Sequence, residues 1–197
     1  DWSSDVCSSD LKIFDSTIGS RFPNPRIEKQ FGDDTMPQTA DNLAKDFDIK
    51  RSEADTFALR SQQKFNIAKG EGFFQGELTP VEVPGKKGQT VSVTEDEHPR
   101  PETNMESLTK LRALFEGGVT TAGNASGVND GAAALLVGSK AAGEKAGVKP
   151  LARILATAAM GVPPRIMGFG PVPSSQKALG RAGIDVKDLD IIEINEA

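Results

Sequence analysis

What most constrains this chain is the pattern after residue 126, where short apolar runs alternate with helix-length segments that end on glycine. A small-residue run at 132–137 leads to a helical segment closed by Gly147. A second run at 151–156 leads to a helix at 174–182 closed by Gly183, and a third run occupies 189–194. Strands this short and apolar are covered on both faces, with the intervening helices as crossovers. The pattern predicts an α/β fold with a mostly parallel, doubly covered sheet. The last run stops at Ala197, directly after Asn195 and Glu196, where a crossover helix is expected, so the polypeptide is expected to continue.

The earlier part reads differently. Residues 12–38 are turn-rich, and Pro23, Pro25 and Pro37 argue for an irregular segment. A helix is expected at 40–47, with Ala40, Leu43, Ala44 and Phe47 on one face and Thr39 as N-cap. A longer helix at 51–69 aligns Ala54, Phe57, Ala58, Ser61, Phe65 and Ala68, and Gly70 and Gly72 stop it. Runs at 78–83 and 90–93 alternate apolar and polar residues around Pro84-Gly85-Lys86-Lys87-Gly88, the pattern of a hairpin with a cationic tip. A short helix at 105–111 then precedes a loop at 117–129, rich in Gly, Thr, Ser and Asn. Composition thus divides the chain near Ser126.

A formal charge of −5, few aromatics and no basic stripe do not fit a nucleic-acid binder. No apolar run approaches the ~20 residues of a membrane span, and no charged-then-apolar leader opens the sequence. The expectation is a cytoplasmic protein with neither nucleic-acid nor membrane partners. Residues 1–11, DWSSDVCSSDL, are what a widespread short-read sequencing adapter encodes, so they are read as a scar outside the fold. Setting them aside removes Trp2, Cys7 and three aspartates, which takes the charge from −5 to −2 and leaves no cysteine. A disulfide framework and a Cys-ligated zinc site are thereby excluded, and Cys7 is no candidate nucleophile.

TAGNASGVNDG, from Thr121 to Gly131, is the most specific string. Its glycines let backbone pass close to a ligand, and Asn124, Ser126 and Asn129 offer hydrogen-bonding groups. The competing reading is a Gly-rich turn whose polar side chains bond only their own backbone. Extended to TAGNASGVNDGAAALL, the string resembles a segment of the thiolase family almost letter for letter. FALRSQQ (57–63), DEHPRPET (96–103), KLRALF (110–115), MGFGPVP (167–173) and NEA (195–197) match that family in the same order. The resemblance covers essentially everything from Lys12 onward.

This likeness implies a thiolase fold made of a loop domain and parts of two βαβ-type halves. It divides the chain into residues 1–11 (scar), 12–126 (loop domain), 127–149 (end of the N-terminal half) and 150–197 (start of the C-terminal half). Thiolases cleave a 3-oxoacyl-CoA with a second CoA to give acetyl-CoA, or run the reverse condensation. A cysteine is acylated, a histidine activates it, and a second cysteine moves the α-proton. The resemblance puts that nucleophile upstream of this segment, and the histidine of a GHP motif and the second cysteine downstream of NEA. The chain alone is therefore expected to be inactive. Asn195 would hold a water of an oxyanion hole, its plainer role being a strand-end cap.

For coenzyme A, a substrate and not a permanent cofactor, the resemblance implies Ser126 along the pantetheine arm, with Ala122 and Met36 lining its tunnel. Arg100, Ser107 and Phe115 would surround the adenine end. A guanidinium at Arg100 can stack on adenine and face phosphate, or can simply be solvated. His98, the sole histidine, is read as structural or exposed. Lys86 and Lys87 are read as a solvated tip before any long-range attraction for phosphate. A homodimer or homotetramer is implied, and no metal.

Three departures stand out: Thr35 where many acetoacetyl-CoA thiolases have histidine, Lys50 in place of the usual N-cap serine, and a 116–118 turn one residue short. FDSTIGSRFPNP (14–25) and the later DDTMPQTADN resemble family members acting on 3-oxoadipyl-CoA more than those acting on acetoacetyl-CoA. A dicarboxylic acyl chain needs a cation, and Arg21 is the candidate for its distal carboxylate. The alternatives are an acetoacetyl-CoA or fatty-acid 3-ketoacyl-CoA thiolase, a non-catalytic acyl-CoA or lipid binder of the same fold, or an unrelated α/β domain.

Overall fold

The computed structural model describes residues 22–129 and 131–196. Arg21, with the whole scar, lies outside the described residues. Proline starts helices here where the sequence reading took it to break them. Helix α1 (Pro25–Phe31) is capped by Asn24, whose Oδ1 accepts from Arg26 N at 3.0 Å. A proline in the first turn has no N–H to leave unpaired, so Pro25 suits that place. Helix α2 (Met36–Asp46) likewise carries Pro37 in its first turn, and it begins four residues earlier than expected. Its N-cap is Thr35, not Thr39. Gln38 Oε1 reaches back to accept from Thr35 N and from its hydroxyl, both at 2.8 Å. Thr39 is buried instead and donates to Met36 O at 2.8 Å, while Ala40 faces solvent.

Helix α3 (Arg51–Gly70) matches expectation in extent. Its buried stripe is more polar than predicted, because Phe57 is 59% exposed whereas Asp55 is fully enclosed. Strands β1 (Val81–Pro84) and β2 (Thr90–Val93) form the predicted hairpin, with Val81 opposite Val93 and Pro84 opposite Thr90. The tip takes positive φ at Lys87 (58°) and Gly88 (74°). Gly85 has no room for a side chain, since a Cβ there would sit 2.8 Å from Val91 Cγ2. Helix α4 (Met105–Thr109) is short and is followed by an isolated antiparallel bridge between Ala113 and Thr121.

Beyond residue 131 lie α5 (Lys140–Ala146), a 3-10 turn (Pro164–Phe169) and α6 (Pro171–Ala182). Gly147 and Gly183 close α5 and α6 in the left-handed conformation at φ 67° and 71°, as the sequence predicts. The runs at 132–137, 151–156 and 189–194 form no strands among the described residues, and the one sheet there is the β1–β2 hairpin. A strand exists only where a neighbour takes up its N–H and C=O groups, and among the described residues no backbone hydrogen bond joins these runs to one another. Their side chains remain open to solvent, with Leu136 95% exposed.

Only Ala44 and Leu108 among the described residues are buried apolar side chains, alongside buried Thr39, Asp55, Thr120 and Thr121. Burial this sparse leaves hydrogen bonds to fix the loops. A compact junction joins α2 to the 3-10 turn. Phe47 stacks on Phe169 at 5.2 Å, Arg165 grips Asp46 through two nitrogens at 2.5 and 3.3 Å, and Asn42 donates to Arg165 O at 2.9 Å.

Candidate functional site

Arg51, Asp55, Gln62 and Asn66 lie within roughly 60° of one another around α3, because their spacings are close to whole helical turns. This polar ridge anchors the loops that carry most of the sequence-predicted site. At its start, Arg51 Nε donates to Asp55 Oδ2 at 2.8 Å, and Nη2 donates to Leu108 O and Leu111 O at 2.7 and 3.0 Å. Those carbonyls lie at and just after the end of α4, where backbone acceptors lack helical partners. Asp55 Oδ1 accepts from Asn124 Nδ2 at 2.9 Å, and the same nitrogen donates to Val119 O at 2.9 Å. Asn124 Oδ1 in turn accepts from Thr121 N at 2.7 Å.

The opposite side of this turn is held by α2. Asp41 Oδ1 accepts from Val119 N, Thr120 N and Thr120 Oγ1 at 2.9, 2.9 and 2.7 Å. A Cβ at Gly118 would run into the Asp41 carboxylate, and one at Gly123 would sit 2.5 Å from Leu111 Cδ1. At both positions a side chain would force its neighbour to shift, so close approach favours glycine. The turn at 118–124 is clamped between two helices, and Ala122 within it and Ser126 just beyond it are both exposed. Asn124 does more than either sequence reading allowed, since it bonds its own turn and also a buried carboxylate.

Further along the ridge, Gln62 Oε1 accepts from Arg100 N at 2.9 Å and Asn66 Nδ2 donates to Pro101 O at 3.4 Å. His98 lies against Gly127, where a Cβ would be 2.7 Å from the ring Nδ1, so the Arg100 loop touches the Ser126 loop. On the adjacent face Ser61 Oγ donates to Glu196 Oε2 at 2.8 Å, which brings the exposed Asn195 to the same helix. Ala122, Ser126, Arg100 and Asn195 therefore hang from one element, although they are up to 95 positions apart in sequence.

Individual side chains are placed less uniformly. Arg100 is exposed, and its Nη1 turns back on its own loop to donate to the carbonyls of Glu97, His98 and Pro99 at 2.5, 3.0 and 3.0 Å. Ser107 is spent on capping α4, with its hydroxyl donating to Asn104 O at 2.8 Å and its N–H donating to Asn104 Oδ1 at 2.9 Å. Ser126 Oγ makes only a long contact to Gly127 O at 3.4 Å, so it is the hydroxyl most available to a ligand. Phe115 lines an open cleft of about 680 Å³ with Asp41 and Lys45, on the α2 side. Met36 begins α2 and is 47% exposed, and no hydrogen bond among the described residues joins its side chain to the α3 set.

The sequence reading missed Asp41, Arg51 and Asp55. One signal was present: Arg51 and Asp55 form a charged i, i+4 pair inside the stripe that also carries Ala54 and Ala58. Chemically, the clamped turn offers a fixed wall with an exposed hydroxyl, and Asn195 offers an amide able to hold a water. No cysteine stands among the described residues.

The chain belongs to the thiolase family: residues 15–141 match the thiolase N-terminal domain and residues 148–197 the thiolase C-terminal domain. Among characterised relatives, it is similar to the β-ketoadipyl-CoA thiolase of Pseudomonas putida, 53% identical over 96% of this chain and 48% of that protein. It is 50% identical to the 3-oxoadipyl-CoA/3-oxo-5,6-dehydrosuberyl-CoA thiolase of Escherichia coli K12, again over 96% of this chain and 48% of the relative. Among solved structures it superposes on human mitochondrial 3-ketoacyl-CoA thiolase with a TM-score of 0.78 and 46% identity, covering 85% of this chain and 42% of that one. The fold is thus a thiolase fold, and the chain spans about half the length of these relatives.

Proposed function

We propose that a full-length protein carrying this chain transfers an acyl group between 3-oxoadipyl-CoA and CoA, releasing acetyl-CoA. The observation that carries this reading is the gathering on α3 of the loops bearing Ala122 and Ser126, Arg100, and Asn195. The names and closeness of the bacterial relatives support the substrate. In this reading Ser126 and Ala122 flank the pantetheine arm, with Met36 further along its tunnel. Arg100, Ser107 and Phe115 stand around the adenine end. Asn195 holds the water that stabilises developing negative charge on the thioester oxygen. Residues 12–126 act as the loop domain, 127–149 as the end of one catalytic half and 150–197 as the start of the other.

The reacting cysteines and histidine are supplied by other parts of the full-length protein, so the 197-residue chain alone has no thiolase activity. The full-length protein works in the cytoplasm as a homodimer or homotetramer, with acyl-CoA and CoA as substrates and no permanent cofactor. Among the described residues no helix is long and apolar enough to cross a membrane. The test is a thiolysis assay following loss of 3-oxoacyl-CoA and appearance of acetyl-CoA. Turnover of 3-oxoadipyl-CoA with a higher kcat/KM than acetoacetyl-CoA is expected; absence of turnover on every 3-oxoacyl-CoA overturns the reading.

A further inference from the structure

We infer that Asp55, which touches no substrate, is a positioning residue that sets the affinity for CoA by fixing the turn at 118–124 through Asn124. This rests on the coenzyme-binding reading above. Asp55 is enclosed by protein, and its two oxygens serve different tasks: Oδ2 takes the Arg51 Nε–H, and Oδ1 takes the Asn124 Nδ2–H. Core stability alone accounts for the first contact. The second leaves the helix for a surface turn whose Ala122, like Ser126 just past its end, faces solvent. Asn124 converts that one anchor into three fixed backbone points, because it also bonds Val119 O and Thr121 N, and Thr121 Oγ1 then accepts from Gly123 N at 3.2 Å.

A free turn of this composition samples many conformations, and a ligand that needs one of them binds more weakly by the fraction populated. Tying the turn to a buried carboxylate removes that loss before CoA arrives. Both neighbours of Asp55 are donors, so Asp55→Asn must turn its amide toward one of them and give up that bond. Asn124→Ala breaks the tie from the other side and leaves the Arg51–Asp55 pair whole.

The experiment measures CoA binding and steady-state thiolysis for the full-length protein, Asp55→Asn and Asn124→Ala, together with amide hydrogen exchange at Thr121 and Gly123. Both variants are expected to weaken CoA binding about tenfold, with KM rising by a similar factor, kcat within about threefold of the parent, and the two amides exchanging faster. A fall in kcat with unchanged CoA affinity overturns the inference. So does unchanged exchange in a folded Asn124→Ala, or failure of both variants to fold, which would make the role one of the core. If the unaltered protein binds no CoA, it is the coenzyme-binding reading that fails, not the coupling, which the amide exchange still reads.

Discussion

At Gly118 a single hydrogen separates a working clamp from a broken one. A methyl there would meet the Asp41 carboxylate, whose Oδ1 holds two backbone N–H groups and the Thr120 hydroxyl. Gly118→Ala is expected to destabilise the protein by about 2 kcal/mol, through overpacking and lost hydrogen bonds. Gly76→Ala, placed in open space, is the control and should stay within about 0.5 kcal/mol in the same urea titration. Arg21, outside the described residues, enters only as a proposal about the substrate. As the proposed partner of the distal carboxylate, its change to Ala is expected to raise KM for 3-oxoadipyl-CoA about tenfold or more and to leave KM for acetoacetyl-CoA nearly unchanged. Equal effects on both substrates would remove it from the substrate site.

Helix α3 shows how far an element can be read from its residues. Its length and its stop at Gly70 followed from periodicity, because both are local properties. Its most consequential residue did not, since Asp55 is buried by partners far away in sequence, and a charge on an amphipathic helix ordinarily signals the solvated side. The start of α2 was missed for a related reason: Pro37 and Thr35 form a good first turn, yet a proline read in isolation signals a break. At the α3 N-terminus Lys50 occupies the cap, and only half of a capping pair forms, with Lys50 N donating to Glu53 Oε2 at 2.7 Å. Lysine has no acceptor for the first-turn amides. Lys50→Ser is therefore expected to stabilise the protein by about 0.5–1 kcal/mol, read as a higher urea midpoint, despite losing the exposed ion pair to Asp48.

For the whole molecule, the junction of α2 with the 3-10 turn links the two family-matched parts of the chain. Donation from Arg165 holds the Asp46 carboxyl below its ordinary value near 3.8. A lowered carboxyl contributes stability above the unfolded value and loses it as pH falls through the folded one. Asp46→Asn is expected to lower the urea midpoint at neutral pH and to converge on the parent as pH falls through the lowered folded value, below which the aspartate is protonated anyway. Added salt should shrink the neutral-pH difference, because both partners are partly exposed. The predicted parallel sheet was legible as an alternation of runs, but its pairing was not, since a strand's partners are set by distant chain and the described residues provide none for 132–137, 151–156 or 189–194.

The central claim, that a helix-anchored turn forms a wall for coenzyme A, is tested most directly by crystallising the full-length protein with CoA bound. The account predicts the pantetheine arm running past Ala122 and Ser126, with Asn124 still donating to Asp55. Coenzyme A seated elsewhere, with this turn facing empty solvent, would contradict it.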